Sequence, residues 1–109
     1  MQLMVFVLNN IDVLEELMSE LSHNGVKGAT IIKSTGMARS LKSDDPLLYS
    51  LKALLAPNHK ENYTILMALS DEMIENVKNI IKSVVGDLTQ PDTGVIFTVP
   101  ISSSEGLKV

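Results

Sequence analysis

Apolar and polar positions along the chain follow two different periods. Leu3 to Leu8 is an unbroken apolar run rich in β-formers, closed by Asn9-Asn10, and it predicts a strand buried on both faces. Ile11, Leu14, Leu17, Met18 and Leu21 then recur at helical spacing, with Asp12 and Glu15 in the form of a capping box and Gly25 as a left-handed stop. Gly28 to Lys33 is short and β-branched with polar ends, which predicts a less buried second strand. Tyr63 to Leu69 is again almost wholly apolar and predicts a second central strand. Ser70 stands where a helix cap belongs, Asp71 and Glu72 fill the first turn, and the stripe Met73, Ile74, Val77, Ile80, Ile81, Val84 and Val85 runs to Gly86. After the turn residues Gln90 to Gly94, Val95 to Val99 predicts a fourth strand stopped by Pro100.

This order predicts an α+β fold of ferredoxin-like βαββαβ type over residues 1–109 as one domain: a four-stranded antiparallel sheet, two helices on one face, and the first and third strands in the middle. A consequence follows for the first strand. Both of its alternating sets, Leu3/Val5/Val7 and Met4/Phe6/Leu8, are apolar, while two helices on one face cover only one set. The other set needs a cover, and a homo-oligomer is the expected one.

The connection between the second and third strands, an insertion over about residues 36–62, is far longer than a hairpin requires, and long connections in compact domains are usually functional or disordered. Asp44-Asp45-Pro46 reads as a helix start, and Leu47, Leu48, Leu51, Leu54 and Leu55 follow at helical spacing as far as Ala56-Pro57. Such an apolar helical face can fold back on its own oligomer or dock into the groove of a partner protein, with Tyr49 as a further anchor.

Composition narrows the function classes. A chain of 109 residues with 45 % hydrophobic and 20 % charged residues has enough apolar surface for one core. With no cysteine there are no disulfides, thiolate metal sites or thiol nucleophiles. A net charge of −4 without a run of Lys or Arg argues against nucleic acid and anionic lipid as partners. No apolar stretch approaches the ~18 residues that span a bilayer, and the opening residues lack the basic region of a signal peptide, so no membrane insertion and a cytoplasmic location are expected. His23 and His59 are isolated, the adjacent carboxylates Glu15-Glu16 and Asp44-Asp45 suit solvated helix positions, and no GxxxxGK loop occurs. Catalysis is not expected.

Three stretches carry a family likeness. Gly25-Val26-Lys27-Gly28-Ala29-Thr30, Gly36-Met37-Ala38-Arg39 and Gly94-Val95-Ile96-Phe97-Thr98-Val99-Pro100-Ile101 resemble the PII signal-transduction proteins, the nitrogen regulatory P-II superfamily. The likeness extends to element order and to the long loop, which in that family is the T-loop that reaches target proteins. It implies a homotrimer with small effectors in the clefts between subunits, the effector being an adenine nucleotide (ATP, ADP or AMP), and a regulated transporter or enzyme as protein target. It also implies ligand-binding roles for Thr30 at the adenine, for Gly36, Met37, Ala38 and Arg39 at the base of the loop near the phosphates, and for Gly94 through its backbone. Glycine-turn amides and a guanidinium both suit phosphate oxygens.

The departures from the family pattern alter that picture. Ala38 stands where the family has a glycine, Ser40 where it has glutamine, and Val95 where it has lysine. The family's arginines after the fourth strand are replaced by Ser102-Ser103-Ser104-Glu105-Gly106-Leu107-Lys108. With so few cations the expectation is weaker nucleotide binding, a less charged nucleotide or another ligand, in a divergent PII-like branch. Amino-acid-sensing ACT-type modules, CutA-type metal-binding proteins and an adaptor without any effector are the competing readings.

Overall fold

The computed structural model describes residues 1–36 and 61–107. Strand β1 is Gln2–Leu8, helix α1 is Leu14–His23, strand β2 is Thr30–Thr35, strand β3 is Glu61–Leu69, helix α2 is Ile74–Val85 and strand β4 is Gly94–Pro100. The protein is thus α+β, a four-stranded antiparallel sheet with two helices, compatible with a ferredoxin-like fold. The strands lie in the order β2-β3-β1-β4, so the two most apolar runs, Leu3 to Leu8 and Ile65 to Leu69, are central and the edges fall to β2 and β4. Among the described residues no helix is long and apolar enough to cross a membrane.

The core sits between one sheet face and the helices. Met4, Phe6 and Leu8 of β1 and Ile65, Met67 and Leu69 of β3 point to the same side and are fully or almost fully buried. They pack with Leu17 and Leu21 of α1 and Ile74, Val77 and Ile81 of α2, residues that recur every three or four positions and so line one stripe of each helix. Replacing one such large side chain by alanine removes its transfer energy and leaves a cavity, typically a loss of about 2–5 kcal/mol.

Several local expectations are corrected. The first helix enters through a 3-10 turn over Ile11–Val13, and its cap is Asn10, whose side-chain oxygen accepts the Asp12 N–H at 3.2 Å; the Asp12/Glu15 pair does not form the cap. Ser70 occupies the N-terminal position of a second 3-10 turn, Asp71–Met73, but makes no side-chain capping bond; its carbonyl accepts the Met73 N–H instead. Strand β2 begins at Thr30 and not at Gly28, because its ladder to β3 starts only at the pair Thr30↔Leu66. Gly25 and Gly86 do end the helices, with φ of +92° and +98° that a side chain at Cβ would disfavour.

Gly94 serves a different need. A Cβ there would lie 2.6 Å from the Val7 carbonyl oxygen and 2.7 Å from the Phe6 ring, so only glycine lets β4 come this close to β1 at its first residue.

Candidate functional site

The sheet's second face is uncharged from edge to edge. Cross-strand registers place Val99, Leu3 and Ala68 in one row, Phe97, Val5, Leu66 and Thr30 in the next, and Val95, Val7, Thr64 and Ile32 in the third. Directly opposed residues share a face in an antiparallel ladder, so all of these project away from the helices. Phe97 remains 57 % exposed, and Val95, Val99 and Ile32 are each close to half exposed.

At one end of this face a cleft of about 670 Å³ opens. Its cause is local. Continuing the β2–β3 ladder backwards would pair Ala29 with Met67 and Gly28 with Ala68, but pairing stops at Thr30↔Leu66 and the chain from Gly25 to Ala29 stands off from β3. Leu3, Leu66, Ala68 and Leu69 of the two central strands line it together with Gly28 to Thr30, Met73 and Leu107. Lys27 is the one charged residue of the lining. A largely apolar cleft with a single ammonium suits a small ligand of modest negative charge.

At the opposite end of the face the side chains are polar. The Ser34 hydroxyl donates to Asn62 Oδ1, and a second short contact of 2.8 Å joins Ser34 Oγ to Thr64 Oγ1. Asn62 Nδ2 donates to Asn9 Oδ1 at 3.3 Å, and the Asn9 backbone N–H donates to the Thr93 carbonyl at 3.1 Å. Asn62 is only 3 % exposed. The turn that follows α2 is held by its own bonds: Thr93 Oγ1 donates to the Gln90 carbonyl at 2.8 Å, and Asp87 Oδ1 accepts the Thr89 N–H at 2.9 Å and the Thr89 hydroxyl at 2.7 Å. The Thr89 backbone N–H, then its hydroxyl, hold the Asp87 carboxyl below its ordinary pKa.

Of the ligand residues expected from the sequence, Thr30 lines the cleft. Gly36 lies past the far end of β2, where a Cβ would meet Asn62 Nδ2 at 3.4 Å. Gly94 opens β4 on the other edge, three strand spacings away, on the order of 14 Å across the sheet. A single chain therefore does not gather Thr30, Gly36 and Gly94 into one pocket. Met37, Ala38 and Arg39, and the partner-binding set Leu47, Leu48, Tyr49, Leu51, Leu54 and Leu55, lie outside the described residues. Sequence reasoning missed Leu66, Ala68 and Lys27 as cleft residues and Asn62 as a buried polar centre. An asparagine among the β-formers that open β3 was the one available signal for the last. Set against known proteins, the chain matches no family model and no curated relative.

Proposed function

We propose that this protein is a PII-like signal-transduction regulator: a ferredoxin-like βαββαβ protomer, acting as a cytoplasmic homotrimer without catalytic activity of its own. Copies cover one another's uncharged sheet faces, each large apolar side chain fully buried there contributing roughly 1.5–3 kcal/mol. The effector sits at the seams between subunits, where Thr30 of one edge can be joined by Gly36 or Gly94 from another. The 36–62 segment, with its leucine stripe, carries the signal to a transporter or enzyme.

The observation that supports this reading best is the cleft beside Thr30, at the position where the PII resemblance puts an adenine. Its single lysine favours a nucleotide of low charge over a triphosphate, AMP or ADP before ATP.

Thermal shift against ATP, ADP, AMP, the amino acids and divalent metals tests it, since a ligand at 100 times its Kd adds about 2.7 kcal/mol. Stabilisation by an adenine nucleotide, lost when Ala29→Trp fills the cleft, is the expected outcome. Stabilisation by amino acids alone would make the protein an ACT-type sensor, and by metals alone a CutA-type protein. Native mass spectrometry of the same sample gives the subunit count, three being expected.

A further inference from the structure

The polar end of the second sheet face has a direction. Ser34 commits its one hydroxyl proton to Asn62 Oδ1, so the proton in the Ser34–Thr64 contact belongs to Thr64. The bonds then run one way: Thr64 to Ser34, Ser34 to Asn62, Asn62 to Asn9, and the Asn9 amide to the Thr93 carbonyl. Aligned hydrogen bonds in a poorly solvated setting reinforce one another, and a buried amide that loses its partners is left with the full penalty of desolvation.

The placement of Asn62 matters more than its bond count. The β1–β3 ladder ends at Leu8↔Tyr63, and the next pair in that register is Asn9 with Asn62. Beyond the last backbone pair the strands are joined by these two side chains. Asn9 likewise continues the β1–β4 register, since Thr93 is the residue that follows Gly94↔Leu8. On the other side Ser34 opposes Asn62 in the β2–β3 ladder, one pair before its end at Thr35↔Glu61. The Asn62 side chain bonds at once toward the β2 edge, through Ser34, and toward Asn9 at the end of β1.

We propose that Asn62 is a positioning residue that ties the turn before β4 to Thr35 and Glu61, the two points where the long connection leaves and rejoins the sheet, so that a displacement at one is felt at the other. Asparagine suits the post because it accepts with one atom and donates with its neighbour. Leucine does neither, and an aspartate could accept from Ser34 but not donate to Asn9. The tie belongs to the free chain and holds whatever ligand fills the cleft at the far end.

The test is a double-mutant cycle read on the backbone amide NMR resonances of the full chain, without ligand. Thr93→Val removes the Thr93 Oγ1 bond to Gln90 and so perturbs the turn alone. In an otherwise unchanged chain it should shift the amide resonances of both Thr35 and Glu61. In an Asn62→Leu background both responses should vanish, while the α1 and α2 resonances stay in place. In a Ser34→Ala background, which spares the Asn62–Asn9 bond, the Glu61 response should persist and the Thr35 response should fall to what the Thr35↔Glu61 pair alone passes on. Equal responses in all three backgrounds, or none at Thr35 and Glu61 in the first, would overturn the proposal. If Asn62→Leu does not fold, the Ser34→Ala pattern decides alone, and a Thr35 response undiminished there refutes the tie.

Discussion

The two faces of the sheet are built from the same residue classes and meet opposite fates. On the helix side Met4, Phe6 and Leu8 are wholly buried; on the other, Val5 and its neighbour Phe97 form an apolar surface that nothing in the described chain fully covers. Sequence cannot distinguish Phe6 from Phe97 by chemistry, only by position. Phe6 is in a central strand under two helices, while Phe97 is in an edge strand on the uncovered side. Hydrophobicity supplies the drive to burial, and topology decides which face a single chain can bury by itself.

The strongest way to break this contrast is Phe6→Ala, which should lower unfolding stability by about 3–5 kcal/mol in urea denaturation. A loss as small as that of a surface substitution would mean the helix-side core is misassigned. Next comes Phe97→Lys, which puts a charge on the second face at its β4 edge. Folding of the protomer should change by less than about 0.5 kcal/mol, as for surface substitutions generally, while light scattering at micromolar concentration shows smaller assemblies than the unaltered chain. An unchanged mass would show that this face is not where copies meet.

The smallest effect lies off both faces. Because the folded-state pKa of Asp87 is depressed, its contribution is present above the ordinary carboxylate pKa of about 4 and disappears as pH falls through the folded value. Asp87→Asn should therefore lower the melting temperature slightly at neutral pH, and the gap between variant and parent should close in acid. A gap constant with pH would assign the Asp87 contribution to neutral hydrogen bonding.

Much of the fold was legible in the sequence because it is written in local periods. The unbroken run Leu3 to Leu8, the stripe Met73 to Val85 and the stop at Gly86 each locate an element without knowledge of its neighbours. The start of β2 was less legible, since Gly28 and Ala29 read as strand but a strand begins where a ladder begins, and that depends on β3, more than thirty residues away. The cleft was hidden for the same reason: it is a gap between two segments, and a gap has no sequence period. The relay through Asn62 joins residues 9, 34, 62, 64 and 93, which only the register of three ladders brings together. What could be read of the site was residue type at Thr30, Gly36 and Gly94, and not which of them share a cavity in one chain.

Gly94 carries a last consequence, for variation in the gene. Any amino-acid exchange at that codon adds at least one carbon, and the first carbon already collides with main chain. Gly28, equally part of the family likeness, has open space around the same vector. In a saturation library selected for folded protein, codon 94 should be the silent one, its survivors all glycine, and codon 28 should tolerate broad diversity. The two glycines then differ in kind: one is held by a close approach of main chain, and the other meets no such contact.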